Sequence, residues 1–212
     1  MEIRIVPTGT ANLASVLGAL GRVGAPARVA ATAEDLDRAD ALVLPGVGSF
    51  GAGLDGLERA GFAGPVAAWA RSGRPLLAVC LGLQLLAETS EETPGRRGLG
   101  LWPLPVRAFG PGVLQPQLGW NLVRGGKLVV DGYAYFANSY RLTDVPDGWR
   151  AAMGDHGGRF VAALERGPQL ACQFHPELSG GWGHALLGRW LDRARGWSRV
   201  DPADGGQEAQ AC

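Results

Sequence analysis

The sequence predicts an α/β fold, a mostly parallel sheet flanked by helices and carrying an antiparallel extension. Three observations predict it. The apolar runs at 41–44 and 75–79 are continuous rather than alternating, as strands buried on both faces of a parallel sheet are. Strand and helix patterns alternate over the first 90 residues, in the order of a doubly wound sheet. From 101 to 161 the pattern changes to short strands with frequent turns, as in hairpins or a meander.

In chain order, residues 3–6 form a short apolar strand. Asn12 is placed to cap a helix whose apolar face is Leu13, Val16, Leu17 and Leu20. Gly21 and Gly24 end it. A second, weak strand covers 27–31, a polar connection 35–38, and the third strand 41–44. That strand runs into Pro45-Gly46-Val47-Gly48-Ser49-Phe50-Gly51, a Gly-rich turn at the carboxyl end of a parallel strand, where such sheets place their sites. Its glycines let backbone N–H groups point at an anion, but its spacing is not that of a dinucleotide fingerprint. Helices follow at 53–59 and 65–72, the second with Pro65 in its first position. The strand at 75–79 leads through Cys80 into a helix expected over 81–88, and 89–98 reads as a surface loop. The segment 101–161 reads as an antiparallel extension, with its strongest strand at 133–137. A further strand covers 170–174, and a closing helix covers 183–193 with Ala185, Leu186 and Trp190 as core contacts. Residues 1–195 make one domain, and 196–212 a polar tail expected to be disordered.

Composition narrows the function. Twenty basic and twenty acidic residues cancel, so neither nucleic acid nor an anionic membrane is the expected partner. Lys127 is the only lysine among the cations, which reads as compositional bias. The cysteines, Cys80, Cys172 and Cys212, are too few and scattered for a disulfide framework or a zinc site, so no metal is expected. Met1-Glu2-Ile3-Arg4 opens directly into a strand, with no secretory leader, and no apolar run approaches membrane-spanning length. A soluble protein of a reducing compartment follows, with the cytoplasm as its expected location.

Two stretches carry chemistry. Cys80 sits at a strand-to-helix junction with small neighbours, Ala78 and Gly82, that permit a sharp turn and expose the side chain. The start of the following helix favours a thiolate over a thiol. The second stretch is His175-Pro176-Glu177. A residue before proline is pushed towards extended geometry, and alternation then puts His175 and Glu177 on one side, a carboxylate beside an imidazole. Cys172 has the opposite parity, so the nucleophile for His175 is Cys80. His156, in a Gly-rich turn, and His184, at a helix start, read as surface residues. Thiolate attack on a carbonyl creates an oxyanion that needs N–H donors. The N–H of Leu81 and the turn from Pro45 to Gly48 are the two sources. Acyl transfer or hydrolysis of an amide or ester is the implied reaction class.

At these residues the chain resembles the class I (triad) glutamine amidotransferases. The resemblance rests on Cys80-Leu81-Gly82-Leu83-Gln84, Phe174-His175-Pro176-Glu177 and Pro45-Gly46-Val47-Gly48. Within that class it resembles the glutaminase subunits of imidazole glycerol phosphate synthase, through Asn12-Leu13-Ala14-Ser15-Val16, Gly98-Leu99-Gly100-Leu101, Leu118-Gly119-Trp120-Asn121, Tyr135-Phe136 with Ser139-Tyr140, and the run from Gln173 to Gly180. It covers residues 1–195.

The resemblance implies a flavodoxin-like three-layer sandwich. It implies that Cys80, His175 and Glu177 hydrolyse glutamine to glutamate and ammonia. Val47 and Leu81 would form the oxyanion hole, and Gly46, Gly48, Gln84, Ser139 and Tyr140 would hold the substrate. No cofactor is implied. The ammonia would pass to a (β/α)₈-barrel cyclase subunit in a heterodimer, through a face that includes Asn12, Trp120 and Asn121, in histidine biosynthesis. Alternatives are the glutaminase of another synthase, against which Gly119-Trp120-Asn121 argues, a non-catalytic subunit with a vestigial site, and a stand-alone cysteine hydrolase or peptidase. The chain departs from the family pattern at Thr10-Ala11, Ala78, Gln117, Asn138 and Leu178, none of them in the triad.

Overall fold

The computed structural model describes residues 1–9 and 12–197. In chain order the elements are β1 (Ile3–Ile5), α1 (Leu13–Arg22), β2 (Ala27–Val29), β3 (Ala41–Gly46), α2 (Phe50–Arg59), α3 (Ala63–Arg71), β4 (Leu76–Cys80), α4 (Leu81–Leu85), β5 (Ala87–Ser90), β6 (Trp102–Ala108), β7 (Gln117–Val123), β8 (Gly132–Asn138), β9 (Tyr140–Arg141), β10 (Arg150–Asp155), β11 (Arg159–Arg166), β12 (Gln169–Cys172) and α5 (Gly180–Arg195).

Seven strands form the central sheet in the order β10-β11-β12-β4-β3-β1-β2. β1, β2, β3, β4 and β12 run parallel, and β10 and β11 add the antiparallel edge. Every residue of β3 and β4 is buried, as their continuous apolar content predicts. Alternation sends Leu42, Leu44, Leu76 and Ala78 into a core shared with α2 and α3, and Ala41, Val43, Leu77 and Val79 into a second core under α1, α5 and the β7–β8 hairpin. This is a three-layer sandwich.

Several elements differ from expectation. The expected helix over 81–88 stops at Leu85, and Ala87–Ser90 becomes β5, paired with β6. The intrinsic helix preference of that stretch yields to pairing with a distant strand. The extension at 101–161 divides three ways. Only β10 and β11 join the main sheet; β5-β6-β9 and β7-β8 form two small sheets of their own, and the bridge between Arg124 and Met153 ties the hairpin to β10. The polar connection near 35 contains a 3₁₀ turn, Ala33–Leu36. Pro65 is the third residue of α3, not the first, still within the turn whose N–H groups have no helical acceptor. α5 starts at Gly180, and Ala185 lies on its exposed side while Leu186, Leu187, Trp190 and Leu191 are buried. Gly196 caps α5; the rest of the expected tail, 198–212 with Cys212, lies outside the described residues.

Candidate active site

Adjacent strand ends build the site. The register pairs Gly46 with Cys80 across β3 and β4, and Val79 with Cys172 across β4 and β12. The loop after β3, the turn after β4 and the segment after β12 therefore emerge side by side, on the carboxyl edge of the parallel strands.

Cys80 ends β4 with φ 54° and is the only non-glycine residue with positive φ among those described. Strand alternation would send its side chain with Ala78 into the α2–α3 core. The left-handed turn instead places it in the other core, beside the carbonyl of Ala137 at 3.9 Å. The close approach of the following helix to β3 needs a glycine two residues on: a Cβ on Gly82 would lie 1.9 Å from the carbonyl oxygen of Leu44. Gly46 is constrained likewise, because an added Cβ would lie 2.9 Å from that of Leu81.

His175 follows β12. Its N–H donates to the carbonyl of Tyr135 on β8, and the Ser179 hydroxyl accepts from the Tyr135 N–H and donates to the carbonyl of His175. The segment is thereby pinned to the hairpin from both sides. Extended geometry was expected through Glu177. His175 is extended, but Pro176–Leu178 is a 3₁₀ turn, because Pro176 initiates a helical turn as readily as it enforces extension before itself. The expected pairing nonetheless forms: Nδ1 of His175 lies 2.8 Å from Oε1 of Glu177, with both side chains almost fully buried. Burial alone pulls the imidazole pKa down. Its interactions with Cys80 and Glu177 outweigh that and push it up to about 10. At neutral pH the imidazole is therefore a cation held against the Cys80 sulfur.

A cleft of about 220 Å³ is lined by Val47, Gly48, Cys80, Leu81, Gln84, Glu92, Ser139, Tyr140 and His175 among others. That is below the roughly 300 Å³ at which drug-sized pockets begin, and suits a ligand of amino-acid size. Gln84 is buried, and its Nε2 donates to the carbonyl of Tyr140 at 3.1 Å and to Oε1 of Gln173 at 3.0 Å. Gly46 does not line this cleft. It opens on a second cavity of about 190 Å³ with Asn12, Val16, Leu178 and Glu177, and the two share Val47, Ala137 and His175.

Asn12 caps α1, its side-chain oxygen accepting from the Ser15 N–H. Trp120 is 57 % exposed and packs edge-on against Tyr135. Asn121, next on β7, uses its amide within the chain, donating to the carbonyl of Asp155. Cys172 is wholly buried, and burial, followed by the charges of Glu177 and Glu165, raises its thiol pKa well above normal. His156 contacts the carbonyl of Leu114 and His184 receives a hydrogen bond from Arg22, both away from the cleft. Among the described residues no three His, Cys, Asp or Glu side chains are grouped to hold a metal, and no helix is long and apolar enough to cross a membrane.

Two polar residues that touch the site were not visible as such in the sequence. Glu92 supplies the one carboxylate of the lining, and its Oε2 accepts from the Phe50 N–H at the start of α2 at 2.6 Å. In sequence it sits in Ser90-Glu91-Glu92, which reads as a solvated loop. Gln173 is completely buried and touches two lining residues, Gln84 and Cys80.

The family model for glutamine amidotransferase class-I matches residues 9–192. A Deinococcus radiodurans protein named imidazole glycerol phosphate synthase subunit HisH is 46% identical over 200 residues, covering 88% of this chain and 91% of that protein. The Arabidopsis thaliana protein named imidazole glycerol phosphate synthase hisHF, chloroplastic, is 36% identical over 199 residues, covering 89% of this chain but 34% of the longer protein. A solved structure described as a glutamine amidotransferase superposes with a TM-score of 0.75 at 21% identity, covering 91% of this chain and 98% of that one, which is a likeness of fold.

Proposed function

The chain belongs to the class-I glutamine amidotransferase family, and from that premise we propose that it is the glutaminase subunit of imidazole glycerol phosphate synthase, acting with a partner subunit in histidine biosynthesis. The observation that carries the reading is the convergence of Cys80 and His175 on one cleft, with Glu177 held against the far side of the imidazole.

The reaction follows from these positions. The Cys80 thiolate, paired with the His175 imidazolium, attacks the side-chain carbonyl of glutamine. The oxyanion is met by the N–H groups of Leu81 and Val47. His175 gives its proton to the leaving nitrogen, ammonia departs, and a glutamyl thioester remains on Cys80. Water, deprotonated by His175, then releases glutamate. Glu177 keeps the imidazole in the required tautomer and stabilises its charged form. Gln84, Ser139, Tyr140 and Gly48 hold the substrate, and Glu92, the anionic group of the cleft, receives its α-ammonium group.

The second cavity lies behind Val47 and His175 and opens beside Asn12 and Leu178. Nearby β7 presents Leu118 and Trp120, both well exposed, on one face. This is the face on which the cyclase barrel docks, and the second cavity is the exit for ammonia. The expected single domain, 1–195, carries all of these parts.

The test is ammonia production from glutamine by the chain alone and with a cyclase barrel and its ligand. Activity should be weak alone and rise strongly in the complex. Cys80→Ala should abolish use of glutamine while leaving synthesis from added ammonium salts intact. A Cys80→Ala protein that still consumes glutamine, or full activity on peptides or esters without a partner, overturns the reading.

A further inference from the structure

Gln173 occupies a place that the triad does not explain. It follows β12 directly, and the β12–β4 register, Cys172 opposite Val79, continued by one residue sets it opposite Cys80. Its main-chain N–H is fixed to the carbonyl of Ala162, and its side chain is wholly buried. A buried carboxamide needs partners at both ends, and here both belong to the active site. Oε1 accepts from Nε2 of Gln84 at 3.0 Å, and Nε2 donates to Sγ of Cys80 at 3.7 Å.

The hydrogen-bond network fixes which end is which. The carbonyl oxygen of Tyr140 is an acceptor only, so the Gln84 atom 3.1 Å from it is the amide nitrogen. That nitrogen has one hydrogen left, which it directs to Gln173. Gln173 must therefore present oxygen to Gln84 and nitrogen to Cys80. Reversing the Gln173 amide would set two N–H groups against each other and face its oxygen to the sulfur.

We infer that Gln173 is a positioning residue for the proposed thiol chemistry: its carboxamide is a standing N–H donor to Cys80 Sγ and locks the substrate-side Gln84 to the nucleophile through a single rigid group. Besides His175, two groups touch Sγ, and they divide between its protonation states. The carbonyl of Ala137, 3.9 Å away, can accept only from the thiol, whereas the Gln173 N–H favours the thiolate. In the thiolate that pairs with the His175 imidazolium, the interaction with Gln173 strengthens and that with Ala137 is lost, so Gln173 holds the sulfur in its nucleophilic form. When the thioester forms the sulfur loses its charge and the contact weakens. Gln173 thus stabilises the reactive state more than the acylated one. The inference rests on Cys80 being the nucleophile of the proposed glutaminase.

The test is the pH dependence of iodoacetamide alkylation at Cys80, read by mass spectrometry of its peptide in the full chain, an assay that needs no glutamine and no partner. Gln173→Glu retains an oxygen for Gln84 and replaces only the donor facing the sulfur; Gln173→Met removes both contacts at similar volume. In both, the pH of half-maximal alkylation should rise by about one to two units, the worth of a hydrogen bond to a charged group. Glutamine turnover by the complex should show kcat falling at least tenfold in Gln173→Glu, with KM changed much less. Alkylation profiles in both variants that superpose on the wild type overturn the inference. So does a raised KM with unchanged kcat and profile, since Gln173 would then serve Gln84 alone. A wild-type profile that shifts upward in the variants while glutamine is not a substrate at all would leave the role of Gln173 at Cys80 standing and sink the glutaminase reading instead.

Discussion

Nδ1 of His175 and Oε1 of Glu177 lie 2.8 Å apart across a single 3₁₀ turn, each side chain only 7% exposed. This pair makes fold stability depend on pH in a defined window. Burial opposes the charged imidazole, but contacts with Cys80 and Glu177 raise its pKa from 6.5 to about 10. The unfolded chain releases the proton near 6.5, while the folded chain keeps it until about 10. The stabilisation is therefore complete below the lower value, declines between the two and is absent above the upper one. Urea midpoints should fall between those limits, and in Glu177→Gln the fall should be shallower, because one of the raising contacts has lost its charge. An equally steep fall in the variant places the dependence on another group.

Glu92 has two jobs that one substitution separates. Its Oε2 accepts from the Phe50 N–H at the start of α2, and it lines the cleft. Glu92→Gln keeps an acceptor for Phe50 but removes the charge proposed to meet the α-ammonium group of glutamine. A hydrogen bond involving a charged group contributes about 1.5–3 kcal/mol, so KM for glutamine should rise by roughly 10- to 100-fold. Thermal stability should change little. An unchanged KM would show that the ammonium group is held elsewhere.

The reach of sequence reasoning follows from the range of the interactions. Cys80 and the His175–Glu177 pair are legible because each is made locally, by a strand-to-helix junction and by a spacing of two. The pairing was right although the backbone expected behind it was wrong, since an extended segment and a tight turn can both bring such neighbours together. β5 was not legible: Ala87, Glu88, Thr89 and Ser90 lack alternation and are strand only because β6 pairs with them. Glu92 and Gln173 were not legible as active-site residues because their partners, Phe50 and Cys80, are 42 and 93 residues away. Gln117 and Asn138, noted only as departures from a family pattern, prove to be buried cross-strand partners on β7 and β8.

Two glycines in helices should respond oppositely to alanine. At Gly82 an added Cβ would lie 1.9 Å from the carbonyl oxygen of Leu44, and main chain on the neighbouring strand cannot swing aside. Gly82→Ala should destabilise by about 4 kcal/mol or more, among the largest single-residue effects, and trimming the Leu44 side chain should not rescue it. At Gly188, within α5, an added Cβ meets nothing within 4 Å. Gly188→Ala should stabilise by about 0.5–1 kcal/mol. Urea unfolding of the two variants checks both signs.

Cys80 holds its position at φ 54°, which costs a residue with a Cβ about 1–3 kcal/mol. Cys80→Ala removes the sulfur but keeps that cost, whereas Cys80→Gly removes both. Against the gain stand the greater freedom of glycine in the unfolded chain, about 0.4–1 kcal/mol, and one lost buried methyl group, about 0.8 kcal/mol. At mid-range values the balance favours glycine by about 0.5 kcal/mol, and at the favourable extreme by about 1.8 kcal/mol, so Cys80→Gly should be the more stable of the two. Both should be inactive on glutamine. Urea midpoints of the two inactive proteins decide the matter without reference to catalysis. If Cys80→Gly proves the less stable by a kilocalorie or more, the turn is held without strain, and the exposure of the sulfur to the cleft owes nothing to stored backbone energy.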